Sequence, residues 1–120
     1  AIRGHQAAFD ASVRKRDAIG LIATNRDFHM AIADAAGNPY ISGFFGRLLD
    51  EGRRILRVYY QSFDDRLPRQ YVQEHEAIVA AIDARDEALS DRLATAHAAQ
   101  IVRQIQDYIA RQNAATLDLA

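Results

Sequence analysis

Three of the four histidines in this 120-residue chain, His29, His75 and His97, fall in the middle of apolar helical stripes on three separate segments, and Asn25 precedes His29 by one turn on the same face. An imidazole is costly to bury without a partner. Any fold that buries these stripes therefore brings three rings into one small core. A shared divalent ion is the simplest partner common to all of them.

The rest of the chain is written for helices. Only Pro39 and Pro68 interrupt it, and Ala, Arg, Leu, Ile and Gln dominate between them, all tolerable to good helix formers. The periodicity predicts an all-α domain over residues 1–113, followed by a frayed tail over 114–120. A first helix spans about Ile2 to Arg16 with Ile2, Phe9 and Val13 in its apolar row. Asp17 caps a second that runs to about Ala36, its stripe being Leu21, Ile22, Phe28, Ile32 and Ala36. Gly37 and Asn38 tolerate the left-handed backbone that ends a helix, and Pro39 suits the first turn of the next. That third helix is expected to run unbroken to about Ser62, with Ile41, Phe44, Phe45, Leu48, Ile55 and Tyr59 on its apolar face and Arg47, Arg53, Arg54 and Arg57 beside it. A polar loop from Asp64 to Pro68 leads to a fourth helix, about Arg69 to Ala84, and a last one, about Glu87 to Arg111.

Composition narrows the function classes. Apolar residues make up 49% of the chain and charged residues 26%, which suits one domain with a real core. The net charge of -1 supplies no electropositive surface for DNA, so this stretch is not expected to touch it. With no cysteine, thiolate sites are excluded, and imidazole, carboxylate, amide and water remain as metal ligands. No apolar run spans a bilayer and no secretory signal is visible, so no membrane association and a cytoplasmic location are expected. The chain starts at Ala1 without an initiator Met and reads as a piece of something longer.

Spacing sharpens the histidine pattern. Asn25 and His29 are one turn apart and share a face with Ile22 and Ile32. His75 sits between Val72 and Ile78, and His97 lies four residues from both Leu93 and Ile101. If the hairpin turns near Arg85, His75 lies ten residues before the turn and His97 twelve after it. At about 1.5 Å per residue the two are then level across an antiparallel pair. The same reckoning about Gly37 and Asn38 sets His29 level with Arg47 and Asn25 level with Glu51, with Arg54 one turn further on. Arg47 and Arg54 thereby become candidates to hang guanidinium groups over the cavity and hold an anion. A single histidine on an apolar face is ordinarily a hydrogen-bonded structural residue, and arginines ordinarily form a solvated face paired with groups such as Asp50 and Glu51. His5 reads that way, and Phe44, Phe45, Tyr59 and Tyr71 read as core rather than as a ligand-stacking box.

With those residues in hand, the chain resembles the FCD domain, the C-terminal effector-binding domain of the FadR branch of GntR-type bacterial transcription regulators. Asn25-Arg26-Asp27-Phe28-His29, then Ala31-Ile32-Ala33 and Ala36-Gly37-Asn38-Pro39, follow the family's first motif. Glu74-His75 with Ile78 and Ala81-Ile82, then Asp86 and Ala96-His97, follow its second half. The resemblance implies an antiparallel helical bundle of about five or six helices, binding a divalent metal through Asn25, His29, His75 and His97. It further implies a small carboxylate effector completing the coordination, homodimerisation, and DNA binding only through a preceding winged helix-turn-helix domain. Here Asn25 stands where many members carry Asp, which removes one negative charge from the ligand set. Zinc heads the expected metals, with nickel, manganese, iron or cobalt also compatible with imidazole and oxygen donors. An open three-histidine site is equally the starting point for a metalloenzyme. Against an enzyme stands the lack of a general base beside a ligand, Glu74 being expected to point off the His75 face. A third alternative is a bundle in which the metal only staples helices.

Overall fold

Arg16, Gly37 and Arg85 adopt left-handed backbone, at φ 55°, 78° and 56°, and each closes a helix so that the next can fold back. The computed structural model describes the backbone of residues 1–119 and the side chains of residues 1–115. Among them are six helices and no strand: α1 (Ile2–Lys15), α2 (Ala18–Ala35), α3 (Pro39–Glu51), α4 (Arg53–Gln61), α5 (Arg69–Asp83) and α6 (Glu87–Leu119). The architecture is the expected all-α bundle.

The caps explain several boundaries. Asp17 accepts from Gly20 N–H at 3.0 Å, as its position before an apolar run suggests. Asn38 does not end α2 but starts α3, its Oδ1 accepting from Tyr40 and Ile41 N–H while Pro39 occupies the first turn. The expected single helix from Pro39 to Ser62 is two helices, because Gly52 has ψ near 2° instead of a helical value. Hydrogen bonds continue on both sides, from Gly52 N–H to Leu48 and from Leu56 N–H to Gly52, so the chain bends without losing its ladder. A Cβ at Gly52 would lie 3.1 Å from the Leu48 carbonyl, which is why a side chain there would resist the bend. At the other end α6 continues as helix to Leu119, past Arg111 where the periodicity ended it; the side chains of residues 116–120 lie outside the described set.

Helices α1 and α2 form one hairpin and α5 and α6 another, with α1 against α5 and α4 bridging α2 and α6. The core between them is Phe9, Val13, Leu21, Tyr59, Tyr60, Leu67 and Val72. Burying this apolar set is the main driving force for assembly. Gln6 donates to the Val72 carbonyl at 3.1 Å, and Asp10 pairs with Arg69, so polar contacts also join α1 to α5. Helix α3 touches only α2 and α4, and an open space separates it from α5 and α6. No described helix is long and apolar enough to cross a membrane.

Candidate metal centre and the groove beside it

His29 comes from α2, His75 from α5 and His97 from α6, and one nitrogen of each lies within 4.8 Å of the others. The level expected across the α5–α6 hairpin is observed: His75 Nε2 and His97 Nε2 are 3.2 Å apart. Two nitrogens sharing an ion at about 2.0–2.1 Å would sit about 2.9 Å apart at a right angle and about 3.4 Å apart at the tetrahedral angle. The observed pair falls between, and the His29 nitrogen lies within 4.8 Å of both.

Hydrogen bonds on the far side of two rings decide what their near sides offer. Gln6 Nε2 is committed to the Val72 carbonyl, so Gln6 Oε1 faces His75 Nδ1 at 3.0 Å and accepts its proton. Glu74 Oε1 accepts from His97 Nδ1 at 2.7 Å. In the neutral rings both Nε2 atoms therefore carry bare lone pairs, aimed at each other. Such an arrangement needs a positive centre between them. A shared proton would satisfy two rings, whereas a divalent cation satisfies all three.

The surroundings of His29 and His75 disfavour their charged forms. Phe28 stacks on His75 at 4.2 Å between centroids and Phe9 lies at 4.5 Å. Burial, aided by the neighbouring rings, pushes His75 down to about 2, and burial with the nearby His97 pushes His29 down to about 4. Imidazoles this reluctant to take a proton are ready metal donors at neutral pH. Asn25 is buried one turn from His29, and a small void of about 10 Å³ touches it together with His75 and His97. Its amide makes no hydrogen bond to a described residue, as a donor held in reserve would not. Three imidazoles with a buried amide beside them are a donor chemistry that fits zinc and its divalent neighbours.

Three of these contacts escaped the reading of the sequence. Glu74 does sit off the His75 face, but that direction points it at His97 on the neighbouring helix, where Gln100 also donates to it at 3.4 Å. Gln100 in turn donates to the Tyr59 hydroxyl at 3.1 Å, extending the network into the core. Gln6 had a visible signal: a polar residue in the same apolar row as Phe9, the very pattern that singled out the histidines.

A cavity of about 890 Å³ opens from the histidines between α3, α5 and α6. Arg47 and Arg54 are exposed and do not line it. Its α3–α4 wall is Ile41, Phe44, Phe45, Leu48, Leu49, Gly52, Ile55 and Leu56, and at 100° per residue Arg47 and Arg54 point well away from that row. Phe44 and Phe45, expected in the core, belong to this wall instead, Phe44 being 59% exposed. Asp50 takes up Arg26 at 2.8 Å and Arg53 at 3.3 Å, the solvated pairing that such arginines ordinarily adopt.

The model of the FCD domain family matches residues 1–100 of the chain. No curated protein and no solved structure gives a significant match.

Proposed function

Because the chain belongs to the FCD family of regulatory effector-binding domains, we propose that it is the metal-dependent sensing and dimerisation module of a GntR/FadR-type transcription regulator. Asn25, His29, His75 and His97 would hold a divalent ion, zinc first, and a small carboxylate effector would bind beside it. The observation that carries this reading is the approach of His75 Nε2 and His97 Nε2 to 3.2 Å, with Gln6 and Glu74 bonded to the far nitrogens of the two rings. The ion would supply positive charge and a vacant coordination position to an incoming carboxylate. The residues of the chain do the rest. Asn25 brings no charge to the site, so three imidazoles and an amide leave the cation's field uncompensated except by Glu74 behind His97. Arg47 and Arg54 remain proposed anion partners only if α3 or α4 turns on binding.

A ligand gripped between α2, α5 and α6 would favour one arrangement of these helices over another. In a regulator, that preference would pass to a separate DNA-binding domain, with two copies of this domain pairing through their helices. The metalloenzyme alternative is less well supported, since Glu74, the carboxylate beside the rings, is engaged by His97 and Gln100.

Calorimetric titration of zinc-loaded protein with a panel of small carboxylates tests the reading. Metal-dependent heats are expected; silence across the panel, with the metal verified in place by elemental analysis, would overturn it.

A further inference from the structure

We propose that the carboxylate taken by this domain is a monoanion with an extended apolar body, a straight-chain or aryl-substituted alkanoic acid, lying along the groove between α3 and α6. This rests on the reading of the histidines as a metal and carboxylate site.

The groove carries the argument. Of its twenty wall residues only five have polar side chains, and three of those are the donors Asn25, His29 and His97. The other two are Ser90 and Asp91 on α6. Its volume of about 890 Å³ falls in the range of roughly 300–1,000 Å³ that small-molecule sites occupy. Ile41, Phe44 and Leu48 are 60%, 59% and 49% exposed, a costly display unless something apolar lies against them. Nothing in the described chain does so, because α3 makes no contact with α5 or α6.

Charge selects the kind of acid. The donors make the only place in the wall suited to an anion. A second carboxylate on the same molecule would face isoleucine and phenylalanine, or the like charge of Asp91. No guanidinium reaches the wall to receive it. Di- and tricarboxylates are therefore disfavoured, while an added methylene finds apolar surface to cover.

The experiment is a chain-length series, acetate to decanoate, titrated calorimetrically into zinc-loaded protein below micellar concentrations, beside succinate and citrate. Affinity is expected to rise roughly two- to fourfold per methylene until the groove is filled, with succinate and citrate no tighter than butyrate. Phe44→Ser should cut the ratio of octanoate to acetate affinity about tenfold, and Tyr40→Ser, outside the wall, should leave that ratio unchanged. Asp91→Asn should improve dicarboxylates relative to monocarboxylates. Metal-dependent binding of short acids with a flat chain-length profile would overturn this inference while leaving the metal and carboxylate site intact. Silence to every acid would instead bring down the site itself. If Phe44→Ser splits a dimer in sedimentation and the profile is flat, a second copy covers the groove and the inference falls.

Discussion

Glu74→Gln would isolate the contribution of a charge that stands behind His97 and outside the proposed metal ligands. In the parent, the carboxylate accepts from His97 Nδ1 at 2.7 Å, and its side chain is 30% exposed. Adding the imidazole and a metal–nitrogen bond of about 2.0–2.1 Å places that oxygen roughly 6–7 Å from the ion. A single negative charge and a dication at that distance attract by about 5 kcal/mol at an effective dielectric of about 20, and about 1.3 kcal/mol in bulk water. Partial exposure puts the true figure toward the lower end, on the order of 1–3 kcal/mol, or tenfold to a hundredfold in metal affinity. That matches the general cost of losing an outer hydrogen-bond partner of a ligand histidine. Glutamine keeps an acceptor for Nδ1–H, so the metal-free protein should unfold within about 1 kcal/mol of the parent. The assay is competition for zinc against a chromophoric chelator, paired with thermal unfolding with and without metal. At saturating zinc, a tenfold weaker site loses about 1.4 kcal/mol of metal-induced stabilisation. Unchanged zinc affinity in Glu74→Gln would mean that His97 is not a ligand. An equal loss of stability with and without metal would mean that Glu74 is merely structural.

Asn25→Asp adds a full negative charge at the donor set, so zinc affinity should rise tenfold or more in the chelator assay while acetate affinity of the loaded protein falls, because the cation's field is then partly neutralised. In metal-free protein, His29 and His75 are depressed to about 4 and about 2 in the folded state, below the value of about 6.5 for an unfolded histidine. The unfolded chain therefore binds more protons as pH drops below about 6.5, and stability falls through that window by on the order of 1–2 kcal/mol per ring at pH 5. Urea titrations between pH 8 and 4.5 would show it, and a flat profile would contradict the burial of neutral rings. Leu21, with 0% exposure in the core, should cost about 2–5 kcal/mol as Leu21→Ala in chemical denaturation, with metal affinity of the residual folded fraction unchanged.

The convergence of His29, His75 and His97 was legible in the sequence because helical period and hairpin arithmetic are both local rules. His75 and His97 had only to be level about one turn, and Arg85 supplies that turn with its left-handed backbone. Gly52 was harder. A lone glycine within an apolar pattern is compatible with a straight helix, and what lies beyond the bend is α4 packed against α2 and α6, contacts that local periodicity does not reveal. Arg47 and Arg54 illustrate the limit from another side. A reckoning from the turn fixes level along the axis but says nothing of azimuth, and Leu48 and Ile55 take the inward direction. Glu74 was dismissed on the geometry of its own helix. What it meets is set by α6, which periodicity along α5 cannot reveal.

The proposed donors are split between the two hairpins, Asn25 and His29 arriving on one and His75 and His97 on the other. An ion held by all four would be a clasp across a seam, pinning the two halves to one another while the groove leaves it open to ligands. Loading zinc should then slow amide exchange in α2 and α5 together, because openings that separate the hairpins would break the clasp.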